Sequence, residues 1–161
     1  MKQHLEILLK SVLDSWYNHV SRTDNLLDTL SDEQLQEEIA PGKNRGIYIL
    51  GHLTAVHDRM LPLLDLGKQH YPHFDEIFIT SPDKAAKQMP PASELRRYWK
   101  EVNGALEENF RRLQTEEWFH KHTSVSEEDF AKEPFRNRLN VLISRTNHLA
   151  YHFGQLILLK K

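Results

Sequence analysis

The sequence predicts an all-α protein with the architecture of a four-helix bundle. Four segments carry apolar residues at three- and four-residue steps, which is the spacing of an amphipathic helix. A long connection separates the second segment from the third, as in bundles that contain a crossover loop. The length of 161 residues suits one domain with a sizeable core. We therefore expect residues 1–161 to form a single domain.

The first helix is predicted from about Lys2 to Leu30. Ser31 follows as the predicted cap of a short second element, which Pro41 and Gly42 end. Apolar residues recur along the first helix at helical steps: Leu5, Leu9, Val12, Trp16, Val20, Leu27 and Leu30.

The second long helix is predicted from about Gly46 to Leu66, with His52 inside its apolar sector. Pro62 is expected to kink the last turn, because proline has no backbone N–H to donate and clashes with the preceding turn. Residues 67–91 lack helical periodicity, so we expect a long connection that contains one short helix.

The third long helix is predicted from an N-cap at Ser93 to about Leu113. The fourth is predicted from about Asn137 to Leu159. Aromatic residues at helical spacing are expected in the hydrophobic core rather than in an aromatic cage: Trp16, Trp99 and Phe110.

Charge and composition exclude several function classes. Lys and Arg number 21 against 23 Asp and Glu, and no basic block marks a nucleic-acid surface. The absence of cysteine excludes disulfides, a cysteine zinc site and a thiol nucleophile. No apolar run approaches the roughly 18 residues of a membrane span, and the N-terminus lacks the apolar core of a signal peptide. We expect a cytoplasmic protein that binds neither nucleic acid nor membranes.

His148 and His152 form the pattern most informative about function. Residues four positions apart share a helix face and can bind one metal ion. Both interrupt the apolar sector of the fourth helix, as His52 does on the second. Three buried imidazoles that share a cation are satisfied together, although ordinary core imidazoles remain the alternative in a chain with 10 histidines. Leu149 stands where a His-Glu-x-x-His peptidase needs its glutamate, which disfavours a peptidase.

Several short motifs together resemble those of the DinB-like metalloprotein superfamily. They are Gly51-His52-Leu53, Pro91-Ala92-Ser93-Glu94-Leu95 and His148-x-x-x-His152-x-Gly154-Gln155. The resemblance covers nearly the whole chain. It implies an up-down-down-up four-helix bundle that holds one divalent metal ion, zinc or nickel, through His52, His148 and His152.

Three histidine ligands leave a coordination position free, and a metal there can lower the pKa of a bound water or thiol. The superfamily that the chain resembles includes S-transferases that use bacillithiol and isomerases that use mycothiol. The resemblance therefore implies a metal-dependent enzyme that transfers a low-molecular-weight thiol to a small electrophilic substrate. Two alternatives stay open, a metal-dependent hydrolase and a non-catalytic bundle that uses the metal structurally or binds a partner.

Residues next to the three histidines are expected in supporting roles. His57 lies about 140° around the helix from His52, so we expect it to pack or to orient a ligand rather than to bind metal. Asn147, Tyr151 and Gln155 flank the pair on the fourth helix and are candidates to orient its imidazoles or to contact the substrate. Capping and ordinary packing explain these residues as well.

The remaining expectations concern the surface. Histidines in the two long loops are expected to be solvated: His70, His73, His120 and His122. A homodimer is expected, because relatives often pair through bundle helices and because apolar residues off the main stripes would be exposed in a single bundle. These residues are Leu8, Leu26 and Ile157.

Overall fold

The computed structural model describes residues 2–85 and 88–160. Met1 and Lys161, the two ends of the predicted domain, lie outside the described residues. Within the described ranges every regular element is a helix and there is no β-strand, which confirms the all-α prediction. No helix in those ranges is both long enough and apolar enough to cross a bilayer.

The helices differ widely in length. In chain order the α-helices are α1 (Lys2–Thr29), α2 (Asp32–Gln36), α3 (Gly46–Asp58), α4 (Met60–Leu63), α5 (Ala92–Arg112), α6 (Glu127–Lys132) and α7 (Arg138–Leu156). One π-helix, Glu76–Thr80, lies between α4 and α5. Two short 3-10 helices complete the set, Thr115–Phe119 and Ile157–Leu159. The four long helices α1, α3, α5 and α7 match the four predicted segments.

Packing between the long helices builds the core. Helix α3 packs against both α5 and α7, α1 packs against α7, and the π-helix rests on α3. The predicted aromatic stripe is buried as expected, with Trp16, Trp99 and Phe110 at most 2% exposed. Trp118, from the 3-10 helix after α5, joins the same interior beside the Phe110 ring. The core therefore places α3 and α7 side by side.

The kink predicted at Pro62 is a break between α3 and α4. Pro62 has no N–H to donate to the carbonyl of Asp58 four residues earlier, and α3 ends at Asp58. The buried Asp58 carboxylate accepts the backbone N–H groups of His70 and Tyr71, at 2.9 and 2.7 Å. These two hydrogen bonds tie the start of the long connection to the end of α3.

The predicted caps had different outcomes. Ser31 caps α2 as expected. Its hydroxyl accepts the backbone N–H of Gln34, and its own backbone N–H donates to the side-chain oxygen of Gln34. The cap predicted at Ser93 is wrong. Helix α5 begins at Ala92 with Pro91 as its N-cap, since the Pro91 carbonyl already accepts the N–H of the first turn.

The three apolar residues expected to be exposed do not share one environment. Leu8 and Ile157 are 57% and 43% exposed, as expected. Leu26 is only 6% exposed, which corrects that expectation. Leu26 belongs to the same hydrophobic cluster as Leu27 and as Leu35 of α2, which the spacing along α1 alone does not predict. The homodimer stays a prediction.

Candidate metal centre

Three imidazoles converge where α3 meets α7. His52 comes from α3, and His148 and His152 lie one turn apart on α7. Each offers one ring nitrogen, and the three nitrogens lie within 4.8 Å of one another. The Nε2 atoms of His52 and His148 are 3.1 Å apart. Two nitrogens bound tetrahedrally to one ion at about 2.0–2.1 Å would lie about 3.4 Å apart. The three histidines can therefore hold a single metal ion.

The orientation of His52 is set by the π-helix. Its Nδ1–H donates to the carbonyl of Phe78 at 2.8 Å, so the lone pair of the neutral ring is on Nε2. Tyr48 lies parallel to the His52 ring, and its hydroxyl donates to the carbonyl of Ser81 at 2.7 Å. The short helix expected in the long connection thus exists as a π-helix, a form that is frequent at functional sites.

Gly51 allows this arrangement because it has no side chain. A Cβ atom at Gly51 would stand 2.2 Å from the ring of Phe78, well inside van der Waals contact. Phe78 is fully buried and packs edge-on against Phe74. A side chain at Gly51 would therefore push against the buried ring of Phe78, which belongs to the π-helix that orients His52.

We expect Gly51→Ala to destabilise the protein by about 1–3 kcal/mol, the usual effect of overpacking a core. Urea denaturation measures this loss. The matched control is Gly104→Ala within α5, where an added Cβ meets nothing within 4 Å. That change is expected to be neutral or to stabilise by about 0.5–1 kcal/mol, because alanine is the better helix former. Equal effects of the two substitutions would contradict the steric role of Gly51.

His152 is oriented by a residue one turn further along α7. Its Nδ1–H donates to Oε1 of Gln155 at 2.7 Å, which leaves the Nε2 lone pair for a metal. The Gln155 amide in turn donates to the hydroxyl of Tyr151 at 3.1 Å. Gln155 and Tyr151 thus form the contacts expected of supporting residues. Asn147 is exposed and, among the described residues, makes no hydrogen bond to any of the three imidazoles.

Burial keeps the α7 imidazoles neutral. It lowers the pKa of His148 to about 4, with further contributions from His152 and His52. Burial also lowers the pKa of His152, partly offset by the hydrogen bond to Gln155. Both rings are therefore deprotonated at pH 7, the state in which histidine binds metals. Nδ1 of His148 is buried without a hydrogen-bond partner in the described ranges. Converging imidazole nitrogens are a donor set that suits a divalent ion such as zinc or nickel.

His57 is a core residue and not part of this group. Its ring is fully buried between Trp16 and Trp99, at centroid distances of 4.7 and 4.8 Å. Nδ1–H donates to Oδ1 of Asn103 at 2.8 Å, and the Asn103 amide donates to the carbonyl of Trp99. Burial lowers the pKa of His57 to about 3 in spite of the Asn103 bond. His57 therefore packs in the core, which is one of the two roles expected for it. The His57 ring makes no hydrogen bond to His52.

A cleft with a volume of about 740 Å³ opens beside the three histidines. His52 and His148 form part of its wall, so a small molecule in the cleft can reach them. The rest of the lining mixes apolar and polar side chains, among them Val56, Arg59, Leu63, Ile79, His122 and Arg145. This volume is typical of binding sites for small molecules.

His122 corrects the expectation that all four loop histidines are solvated. His70, His73 and His120 are exposed, but His122 lines the cleft and its Nδ1 is buried. Burial also lowers its pKa, so the ring is neutral. The reason is a long-range contact, because the N–H of Thr123 donates to the carbonyl of Leu63 at 3.0 Å and holds this loop against α4. Thr123 and Leu63 are far apart in the sequence, so no local pattern predicts this contact.

The chain was compared with curated proteins and with models of protein families. None of the curated proteins matches it. A family model described as the DinB superfamily matches residues 16–156, a range that contains His52, His148 and His152. The match confirms the resemblance inferred from the motifs, and the protein belongs to the DinB superfamily.

Proposed function

We propose that His52, His148 and His152 bind one divalent ion, zinc or nickel, and that the protein transfers a low-molecular-weight thiol to a small electrophilic molecule. The observation that carries this proposal is the cleft, whose wall includes His52 and His148. A structural metal site is closed by four protein ligands, whereas a catalytic site has three and an open position. Three imidazoles, two of which line an open cleft, correspond to the second kind.

The proposal includes the architecture around the site. We infer that residues 1–161 form one domain in which α1, α3, α5 and α7 adopt the up-down-down-up order that the family resemblance implies. The packing of α3 against both α5 and α7, and of α1 against α7, supports a bundle made of these four helices.

The reaction requires an ionised thiol and an electrophilic carbon held next to each other. A divalent ion at the three histidines supplies the first requirement, because it lowers the pKa of a thiol that reaches it. The neutral ring of His122 lines the cleft and is available there to accept the thiol proton. The sulfur forms a bond to the carbon, and the leaving group departs with the electron pair of the bond that breaks.

Apolar residues of the cleft would bind the electrophile. Val56, Leu63 and Ile79 line it and exclude water from around a small organic molecule. A metal-dependent hydrolase would use the same cleft with water in place of the thiol. A non-catalytic bundle is the other alternative. A purely structural role for the metal does not require a cleft of this size beside the histidines.

Cobalt-substituted protein is expected to show a new sulfur-to-metal charge-transfer band when cysteine, glutathione or bacillithiol is added. The reason is that the thiol can reach the open position through the cleft. Absorption spectroscopy measures the band, and conjugation of the same thiol to a chlorinated nitroarene measures the transfer. The His148→Ala variant is the control, and we expect it to show neither the band nor the accelerated conjugation.

The absence of any thiol-dependent spectral change with all three thiols would contradict the transferase proposal. Release of a product from an ester or amide by the same protein, lost in His148→Ala, would then favour the hydrolase.

A further inference from the structure

Among the described residues, nothing pairs with the positively charged side chain of Arg145 in the cleft. It lies on α7 one turn before His148, and both residues line the cleft. Its Nε–H is buried and unbonded, and no carboxylate pairs with its guanidinium among the residues that the structure describes. By contrast Arg138, at the start of the same helix, forms an ion pair with Asp65 at 3.6 Å.

The surroundings of Arg145 destabilise its charged form when no counter-charge is bound. Burial and the nearby Arg59 guanidinium both disfavour its charge, and they lower its pKa from the usual arginine value. Arg59 itself interacts with Asp75 at 3.7 Å, at the same cleft. Two guanidinium groups thus face one carboxylate, and an imidazole adds no negative charge to the cleft wall. A partly desolvated charge without a counter-charge is unfavourable unless a ligand supplies one.

The chemistry of the Arg145 guanidinium indicates which group of a ligand it binds. A guanidinium presents planar pairs of N–H donors that match the two oxygens of a carboxylate. The adjacent cleft wall is apolar at Val56, Leu63 and Ile79. A ligand that satisfies both features has a carboxylate at one end and an apolar part at the other.

We propose that Arg145 binds the carboxylate of the substrate, so that the protein selects small carboxylic acids over their neutral analogues. The inference rests on the proposed function only in taking this cleft as the substrate site. The carboxylate belongs either to the thiol or to the electrophile, and the same guanidinium chemistry serves both.

Benzoate and its neutral analogue benzamide test the carboxylate site directly. Isothermal titration of each into the full-length protein, as purified and after chelator treatment, gives the two affinities. We expect benzoate to bind at least about tenfold more tightly than benzamide in both preparations, the preference expected from hydrogen bonds to a charged partner. Arg145→Gln should abolish this preference. Arg145→Lys should retain part of it, because lysine keeps the charge without the planar pair of donors.

Arg112→Gln is the matched control. Arg112 is an exposed arginine on α5 that pairs with Glu108 and does not line the cleft. Its substitution should leave the preference for benzoate unchanged. Equal affinities of wild-type protein for benzoate and benzamide would overturn the inference, and so would a preference that persists in Arg145→Gln. A preference that chelation removes and Arg145→Gln retains would show that the carboxylate binds the metal instead.

Steady-state kinetics distinguish the two sources of the carboxylate. One arm pairs 3-mercaptopropionate with 1-chloro-2,4-dinitrobenzene, and the other pairs 2-mercaptoethanol with 4-chloro-3-nitrobenzoate. We expect Arg145→Gln to raise the KM of the carboxylate-bearing partner in one arm by about tenfold or more. An unchanged KM in both arms would overturn the inference. Absence of turnover in wild-type protein would contradict the proposed thiol transfer, whereas the benzoate titration would still test Arg145.

Discussion

Replacing His52, His148 or His152 singly by alanine is expected to remove most of a metal content of about one divalent ion per chain. Three imidazole nitrogens within 4.8 Å of one another provide the ligands, and two remaining imidazoles hold a divalent ion far less tightly than three. Elemental analysis of protein purified without an affinity tag measures the stoichiometry. This is the largest effect we expect, because the site depends on all three side chains.

Two histidine variants outside the triad serve as controls. His73→Ala changes an exposed loop histidine, and His57→Ala changes a buried one that has no hydrogen bond to the triad. Both are expected to keep the ion at temperatures where they remain folded. Full metal content in the His52→Ala variant would show that α3 supplies no ligand, and the assignment would then be wrong.

Acidification is expected to destabilise the chelator-treated protein strongly, and the buried His57 is one of two main causes, beside His148. In the unfolded chain a histidine takes up a proton near pH 6.5, whereas burial lowers the pKa of His57 in the folded protein to about 3. The unfolded state therefore binds more protons between these values. The contribution of His57 to stability is complete above pH 6.5 and is lost as the pH falls towards 3. Between pH 7 and pH 4 the loss is on the order of 3 kcal/mol.

Thermal denaturation at pH 7, 6, 5 and 4 measures this dependence. His57→Phe is the matched variant, because phenylalanine fills the space between Trp16 and Trp99 and cannot be protonated. It loses the hydrogen bond to Asn103, so we expect a lower melting temperature at pH 7 but a shallower decline towards pH 4. Parallel declines in the variant and the wild-type protein would exclude His57 as a cause.

Features that depend on neighbours along the chain were predictable from the sequence. The apolar period determined the four long helices, and the side-chain chemistry of Ser31 determined the start of α2. The geometry of one helix turn also places His148 and His152 on a common face. His52 required more, because its pairing with α7 follows from an apolar segment and from the family motifs rather than from local spacing.

The surroundings of the histidines were not predictable, because they depend on contacts between residues far apart in sequence. The carbonyl of Phe78 orients His52 across 26 positions, and this contact requires both a π-helix and the absence of a side chain at Gly51. Likewise, the burial of Leu26 depends on a hydrophobic cluster whose other members come from several helices, among them Leu35 of α2.

Sequence alone therefore determined the class of fold and three histidines able to share an ion. Only the tertiary structure decided that a cleft opens beside these histidines, that His122 lines it and that Arg145 has no partner there. The physical reason is that the spacing of apolar residues shows only which face of a helix is buried. A site consists of polar atoms from distant segments, and only the packing of those segments brings the atoms together without satisfying all their hydrogen bonds.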